Sequence, residues 1–265
     1  MLKPLSLEEL KGIQLSILDD VNRFCHENGI RYSLTGGTML GAVRHKGYIP
    51  WDDDIDLMMP RLDYQRFIET YSSPENEILD LSTKRTCTEQ FMKVSRKGTI
   101  MKDHLLGRNL WGVNIDIFPV DGMPEDYLPY TAELQKIHQR ITEICPYYLS
   151  VEKGKWKWFA KYLLKRIMYP SARGVLSLKR LLNEKAVGHL MEQSPLSTVI
   201  YGDFRIFPYP SDLFMHYEPV IFEGKPYDCI CDRHLFLSTL YHDYMTLPPL
   251  EQRVTHHLYD AFIEV

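Results

Sequence analysis

The sequence lacks several features that mark particular classes of protein. No window of its 265 residues approaches the roughly eighteen uncharged apolar positions of a membrane span. The N-terminus has no long apolar core of the kind found in signal peptides. The five cysteines are an odd number with no C-x-x-C pair, which argues against a zinc site or a disulfide framework. Together these absences predict a protein of the reducing cytoplasm.

The sequence also lacks a strong overall charge. Its formal net charge is −4, which argues against a nucleic-acid-binding protein. Basic residues are nevertheless concentrated at 151–185, with ten Lys or Arg against two Glu. Within this stretch, 155–166 has the alternation of lysines and aromatic residues that is typical of a helix lying on an anionic membrane. A solvated face on a helix packed against the core is an equally good interpretation.

Apolar periodicity and turn residues predict a mixture of helices and strands. A capping box at Ser6-x-x-Glu9 begins a helix that ends at Asn28-Gly29. After it we expect a strand at 30–34, a tight glycine turn at 35–37 and a helix at 38–44. The later predicted elements are strands at 55–59, 78–81, 91–95, 114–120 and 198–201, helices at 60–71 and 232–245, and a hairpin around Glu223-Gly224.

The most informative motif is Trp51-Asp52-Asp53-Asp54-Ile55-Asp56-Leu57, which leads into an apolar strand. Because side chains alternate along a strand, Asp54 and Asp56 are expected on one face. Asp116 stands alone in a second apolar strand and needs a partner there. The three carboxylates together predict a site for Mg²⁺ or Mn²⁺. A calcium loop of the EF-hand type is excluded because Leu57 occupies the position that requires glycine.

Phosphate binding is predicted just before this acidic motif. Gly36-Gly37-Thr38 opens a helix, and glycines there let phosphate oxygens approach backbone N–H groups at a helix N-terminus. A lone Gly-Gly is more often an ordinary turn, so the prediction depends on the acids that follow. Further positive charge for the phosphates is expected from three basic residues in or near the motifs: Arg44, Lys46 and Lys93. Any one of them is interpreted equally well as a solvated surface residue.

The order of these motifs resembles the nucleotidyltransferase fold, and 32–56 closely resembles the LicD family. That family includes bacterial phosphorylcholine transferases, with fukutin-type polyol-phosphate transferases as more distant relatives. The resemblance continues at 91–94, 115–122 and 241–249. One departure is His242, since the last motif of the family usually reads Tyr-Gly-Asp-Tyr.

This resemblance implies transfer of phosphorylcholine from CDP-choline to a hydroxyl of a cell-surface glycan precursor, of the teichoic acid or lipopolysaccharide type, with release of CMP. Asp54, Asp56 and Asp116 would hold the metal. From their position before the strand, Asp52 and Asp53 could steer the metal, cap a turn or orient the acceptor hydroxyl as a base, and they rank below Asp54 and Asp56. Choline is held by aromatic faces and a nearby acid. The candidate residues for that pocket are Tyr48, Trp51, Asp121, Tyr241 and Tyr244.

The expected fold is α/β, more exactly α+β: a nucleotidyltransferase-like core sheet at 1–126, a basic helical insertion at 127–195, and a hairpin and helix at 196–265 that complete the core. We expect a lipid-linked acceptor and a location at the inner face of the cell membrane. Three alternatives remain open. The donor could carry another CDP-linked or polyol-phosphate group. A glycosyltransferase with an Asp-x-Asp motif would lack the preceding Gly36-Gly37 and the later lone acid. A non-catalytic adaptor would be expected to have lost one of the three acids.

Overall fold

The computed structural model describes residues 2–80, 91–103, 111–144, 188–200, 206–254 and 259–264, with the short pieces 180–181 and 184–185. The predicted basic helix at 155–166 lies outside the described residues, as do Leu81 and Tyr201, the predicted ends of two strands. Within the described part, no helix is long and apolar enough to cross a membrane.

Helices and strands alternate from the N-terminus to residue 79, and most of the described elements after that point are strands. The helices are α1 (Leu7–Asn28), α2 (Gly36–Arg44), α3 (Arg61–Thr70), α4 (Tyr127–Ile144) and α5 (Arg233–Tyr241). The strands are β1 (Leu2–Pro4), β2 (Ser33–Leu34), β3 (Asp56–Pro60), β4 (Asn76–Leu79), β5 (Met92–Arg96), β6 (Thr99–Asp103), β7 (Asn114–Met123), β8 (Leu196–Val199), β9 (Tyr209–Pro210), β10 (Tyr217–Phe222), β11 (Lys225–Ile230) and β12 (Tyr259–Glu264). This mixed architecture confirms the predicted α+β class, whereas the proposed division at 126 and 195 stays a prediction.

The main sheet contains seven of these strands. Its central order is β2-β3-β7-β5-β4, and β8 joins the second half of β7 and also pairs with β9. Strands β3 and β7 run parallel, and the other pairings are antiparallel. The middle of β3, Leu57–Met59, is buried at every position. A strand whose successive residues are all buried is covered on both faces, so it forms the centre of the core.

Helix α1 shows how local sequence sets the boundaries of an element. The Ser6 hydroxyl accepts a hydrogen bond from the Glu9 N–H at 3.1 Å, and the Glu9 carboxylate accepts one from the Ser6 N–H at 2.8 Å. Gly29 ends the helix with a left-handed φ of 59°. Both predicted ends are therefore confirmed. The buried face includes Ile17, Leu18 and Val21.

A second sheet, in the order β1-β12-β6, was not predicted from the sequence. Its first strand has only three residues, all exposed, and its pairing with 262–264 joins the two ends of the chain. Strand β6 follows β5 through a turn in which Gly98 has a φ of 72°. Pairings between such distant segments leave little trace in local periodicity.

The predicted hairpin is confirmed as β10–β11. Glu223 and Gly224 at its tip both have positive φ, 48° and 76°, as two-residue hairpin turns require. The tip packs on the loop that leads to the acidic motif: the Glu223 N–H donates to the Lys46 carbonyl at 2.9 Å, and its carboxylate accepts from the Tyr48 N–H at 2.9 Å. Any side chain at Gly47 would collide with that carboxylate.

The last helix is shorter than predicted. We expected it to continue to Met245, but α5 ends at Tyr241. The residue that ends it, His242, has φ 58° and ψ −112°, a backbone geometry that favours glycine. The usual motif has glycine at this position. His242 therefore adopts a backbone conformation that glycine would adopt with less strain.

Candidate active site

The centre of the candidate site is a pair of aspartates on neighbouring strands. Asp56 at the start of β3 and Asp116 in β7 are register partners in the parallel ladder. The Asp116 N–H donates to the Ile55 carbonyl at 2.9 Å, which fixes the two strands at this point. Adjacent strands lie about 4.8 Å apart, so the two carboxylates project as neighbours from the same face of the sheet. Asp54 lies in the loop before β3, so strand alternation does not fix its side chain on the face of Asp56, as the sequence had led us to expect.

The N-terminus of α2 packs directly against Asp56. The Thr35 N–H donates to the Asp56 carbonyl at 3.0 Å, and the Thr38 hydroxyl accepts from the Asp56 N–H at 2.8 Å. Gly36 has a left-handed φ of 53°, and a Cβ there would lie 3.1 Å from a carboxylate oxygen of Asp56. Gly36, in the predicted glycine turn, is also the first residue of α2, so the helix begins two residues earlier than expected. Glycine is required here both by φ and by the close approach.

The loop acids surround this pair. A Cβ on Gly37 would lie 2.7 Å from a carboxylate oxygen of Asp52, so Asp52 faces the first turn of α2. Burial raises the pKa of Asp56 well above its ordinary value of 3.8, and the negative charges of Asp54, Asp116 and Asp52 raise it further. The nearby Lys93 acts in the opposite direction. The negative charge of the four aspartates therefore exceeds the positive charge that Lys93 supplies.

Lys93 supplies that cation. Its ammonium lies 2.6 and 2.8 Å from the two carboxylate oxygens of Asp116 and 3.4 Å from the Asn114 side-chain oxygen. It also lies 4.9 Å from the ring centres of both Phe91 and Trp111. In the structure Lys93 is paired with Asp116, and its predicted contact with donor phosphates stays a prediction.

The ligand types suit a divalent cation. Carboxylate oxygens are the ligands that Mg²⁺ and Mn²⁺ prefer. The pKa of Asp56 is raised first by burial and then by the neighbouring carboxylates, and a cation would relieve the repulsion among these acids. Among the described residues, no three Asp, Glu, His or Cys side chains already converge as a formed metal site. The described acids therefore match a divalent cation in ligand type and in charge. In the structure the carboxylate of Asp116 is paired with Lys93.

Three tyrosines border the acids. The Tyr241 hydroxyl lies 3.8 Å from a Cβ placed on Gly36, which brings it beside Asp56. Tyr48 donates to the Gln14 side chain at 3.1 Å, and its half-buried ring lies under Lys11 at 4.4 Å. Tyr259, in the unpredicted strand β12, hydrogen-bonds the side chain of Asp53. Burial and the charges of Asp53, Asp54 and Asp116 raise the pKa of Tyr259.

Other predicted residues lie apart from the acids. The Arg44 guanidinium donates to the Tyr244 carbonyl at 2.6 Å, and Lys46 is exposed. The Tyr244 hydroxyl lies 3.1 Å from His234. Asp121 is fully buried and accepts a 2.6 Å hydrogen bond from Arg61, which is buried with it. Its carboxylate is therefore engaged in an ion pair and does not line a pocket for a head group, contrary to the prediction.

Sequence reasoning missed several residues that the fold brings to this region. Tyr259 reaches Asp53 from the far end of the chain, and Arg253 lies 5.6 Å from the ring centre of Trp51, another predicted pocket residue. Gln14 in α1 donates to the Asp53 carbonyl at 2.9 Å. None of the three belongs to a local motif. Trp111 differs from them, because it lies just before the motif at 115–122 and the sequence alone draws attention to it.

Comparison with known proteins decides the family. Residues 29–141 match the sequence profile of the LicD/FKTN/FKRP nucleotidyltransferase domain. The chain is 31% identical over 273 aligned positions to the lipopolysaccharide cholinephosphotransferase LicD of Haemophilus influenzae, covering 99% of this chain and 100% of the relative. The chain belongs to the LicD family. The full-length relative is a phosphotransferase, and we assign this member of the family to the same enzyme class.

Two further similarities are partial. A 29-residue segment is 62% identical to the human ribitol 5-phosphate transferase FKRP, covering 11% of this chain and 6% of the human protein. An uncharacterised protein of Rickettsia prowazekii is 26% identical over 126 residues, covering 40% of this chain and 46% of that protein. The range matched by the LicD family profile includes all the acids of the site, whereas Tyr241, Arg253 and Tyr259 lie beyond it.

Proposed function

We propose that this enzyme transfers phosphorylcholine from CDP-choline to a hydroxyl of a cell-surface glycan precursor, of the lipopolysaccharide or teichoic acid type, and releases CMP. The observation that carries the proposal is the register pairing of Asp56 with Asp116 beside the N-terminus of α2. A helix N-terminus facing paired carboxylates suits a phosphate group bound together with a cation. Full-length similarity to a cholinephosphotransferase supports the choice of choline.

A divalent cation, Mg²⁺ or Mn²⁺, would be held by Asp54, Asp56 and Asp116 and would neutralise charge on the donor phosphates. The chain positions these ligands by its own contacts. The Thr38 hydroxyl and the Thr35 N–H fix the backbone of Asp56, and the Ile55 carbonyl fixes that of Asp116. Catalysis of phosphoryl transfer depends mainly on such positioning and on charge, so no covalent nucleophile is needed.

The first turn of α2 is assigned to the donor phosphates. Gly36 and Gly37 carry no side chain that would fill the space between this helix end and the acids, and the N–H groups and dipole of the helix N-terminus favour negative charge. The acceptor oxygen attacks the choline-bearing phosphorus as the bond to CMP breaks. We assign Asp53 to accept the hydroxyl proton, because its side chain is oriented by Tyr259 and it is not one of the three metal ligands in this scheme.

Of the aromatic residues predicted for choline, Tyr241 is best placed. Its side chain is 36% exposed, and its hydroxyl end lies beside Gly36 and Asp56. An aromatic face beside carboxylates attracts a quaternary ammonium. Tyr48 is half-buried and engaged with Gln14 and Lys11, so we assign it a supporting position.

We further propose a cytoplasmic enzyme that works at the inner face of the cell membrane on a lipid-linked acceptor, with the basic segment 155–166 as its membrane contact. The segment contains five Lys or Arg and no acid. Each basic residue near an anionic surface contributes about 1 kcal/mol. Replacing its lysines with Gln should therefore weaken binding to anionic vesicles at low salt while leaving acceptor-independent CMP release unchanged.

A donor panel tests the proposed reaction. The protein with Mg²⁺ is incubated with CDP-choline, CDP-glycerol, CDP-ribitol and UDP-glucose, and release of CMP or UDP is measured with and without a lipid-linked glycan. We expect the highest kcat/KM with CDP-choline and stimulation by the glycan. Preference for CDP-ribitol would assign the enzyme to polyol-phosphate transfer, and activity with UDP-glucose alone would contradict phosphoryl transfer.

A further inference from the structure

Two arginines from distant parts of the chain meet on one side of α2. Arg44 lies in the last turn of that helix, and Arg253 follows the 3₁₀ helix Leu250–Gln252. The Arg253 guanidinium lies 5.6 Å from the ring centre of Trp51. The His45 ring packs edge-on against the same tryptophan at 6.4 Å, and its Nε2 accepts a 3.0 Å hydrogen bond from Arg44. Trp51 thus contacts Arg253 directly and is linked to Arg44 through His45.

Within the described part of the chain, no carboxylate neutralises this pair. Arg44 donates to the Tyr244 carbonyl, and Arg253 donates from Nε to the Pro248 carbonyl at 2.8 Å, both uncharged acceptors. Burial lowers the pKa of Arg44, and the charge of Arg253 lowers it further. Like charges held together without an acid are an unfavourable arrangement that a bound anion would relieve.

The backbone of Arg44 lies at the opposite end of α2 from the turn assigned to the donor phosphates. Gly36 lies against Asp56 at the N-terminus, whereas Arg44 is eight residues further on, about 12 Å along the axis at the usual helical rise. The first turn of α2 and the acids already account for the transferred phosphate in the proposed reaction. A second anion site at the other end of α2 would therefore bind the acceptor rather than the donor.

The segment that carries Arg253 is also unusually apolar for an exposed stretch. The exposed fractions are 56% for Met245, 43% for Leu247, 75% for Leu250 and 51% for Val254. Exposed apolar side chains beside a cationic pair match a phosphate attached to a lipid better than they match a nucleotide.

We propose that Arg44 and Arg253, arranged around Trp51, form a second anion site that binds a phosphate of the glycan acceptor. The inference deepens the proposed function and rests on it for the identity of the acceptor. Arginine is suited to this role because its planar guanidinium forms paired hydrogen bonds to phosphate oxygens. The site would hold the acceptor at one end of α2 while the donor is bound at the other.

Calorimetric titration without donor tests the site directly. Glucose 6-phosphate serves as the acceptor-type probe and CMP as the donor-type probe, and the variants are Arg253→Gln, Arg253→Lys and, as a control, Arg66→Gln on the exposed face of α3. Loss of a charge-assisted hydrogen bond weakens binding by about tenfold to a hundredfold. We expect that loss for glucose 6-phosphate with Arg253→Gln, partial retention with Arg253→Lys, and unchanged CMP binding in all variants.

Two results would overturn the inference. One is failure of the unmodified protein to bind glucose 6-phosphate, and the other is a loss of CMP binding by Arg253→Gln that equals the loss of sugar phosphate binding. Thermal unfolding of each variant identifies any loss caused by unfolding, and Arg253→Lys then tests the charge in a folded protein. Because this experiment uses no CDP-linked donor, a failed donor panel combined with Arg253-dependent sugar phosphate binding would refute the proposed reaction alone.

Discussion

The ammonium of Lys93 lies 2.6 Å from one carboxylate oxygen of Asp116 and 2.8 Å from the other. Both side chains are largely buried, with 8% and 18% of their areas exposed. The lysine comes from β5 and the aspartate from β7, as register partners in the sheet. The ion pair therefore connects the candidate metal site to the centre of the fold, and Lys93 has a role in stability as well as in charge.

Replacing Lys93 with Gln should destabilise the metal-free protein by about 3–5 kcal/mol, because it leaves Asp116 largely buried without its cation. Adding Mg²⁺ should recover part of that loss. Urea unfolding with and without Mg²⁺ measures both effects. Lys97→Gln, on the exposed turn between β5 and β6, is the control and should change stability little. Equal stability of the Lys93 and Lys97 variants would show that the pair is unimportant.

Asp56→Asn should stabilise the metal-free protein at neutral pH. The pKa of Asp56 is raised in the folded state, so the folded protein binds more protons than the unfolded chain between 3.8 and that raised value. Stability of the unmodified protein therefore falls as pH increases through this window, and the variant avoids that fall. A gain of 1 kcal/mol corresponds to an increase in Tm of about 2–4 °C.

Thermal unfolding in EDTA from pH 4.5 to 8 measures the difference in Tm between Asp56→Asn and the unmodified protein. We expect the advantage of the variant to grow with pH and to reverse when Mg²⁺ is added, since the variant loses a metal ligand. A variant that is less stable than the unmodified protein at pH 8 in EDTA would contradict the charge excess.

The two glycines should respond differently to alanine. Gly36→Ala forces a left-handed φ on a residue with a Cβ, at a cost of about 1–2 kcal/mol, and presses that Cβ against Asp56. Gly37 has no such φ, and its Cβ would meet only the mobile end of the Asp52 side chain. Urea unfolding and donor KM for both variants check this order. Equal effects would remove the special role of Gly36.

His242→Gly should increase stability. A residue with a Cβ in this backbone region destabilises the folded state by about 1–3 kcal/mol. Glycine removes that strain, but its greater conformational entropy in the unfolded chain offsets about 0.4–1 kcal/mol of the gain. A net gain of about 1 kcal/mol is expected in thermal unfolding. His242→Ala keeps the Cβ and should show no comparable gain. If both variants behave alike, the histidine side chain rather than the backbone determines the result.

Local motifs predicted the central part of the molecule well. The capping box and Gly29 set both ends of α1, and the register of Asp56 with Asp116 agrees with the expectation that two apolar strands bring their acids together. These features depend on neighbouring residues or on strands whose apolar character is strong. Sequence alone was sufficient for them.

Contacts between distant segments were not predictable in the same way. The exposed triplet Leu2–Pro4 has no strand pattern of its own and becomes a strand only by pairing with β12. Tyr259 and Arg253 reach the site from the last part of the chain for the same reason. Asp121 looked like a substrate acid because its motif is adjacent to Asp116, but burial with Arg61 determines its role. Sequence did not indicate that Lys93 pairs with Asp116, because that contact depends on the pairing of β5 with β7, and its assignment to the donor phosphates stays a prediction.

Metal-dependent release of CMP from CDP-choline is the most direct test of the central claim that Asp54, Asp56 and Asp116 form a phosphotransferase centre. The assay compares the unmodified protein, Asp116→Asn and the exposed control Asp126→Asn, each with Mg²⁺ and with EDTA. We expect release by the unmodified protein and the control only with Mg²⁺, and a decrease of at least about 100-fold for a folded Asp116→Asn. Undiminished release by Asp116→Asn, or by the unmodified protein in EDTA, would contradict the claim.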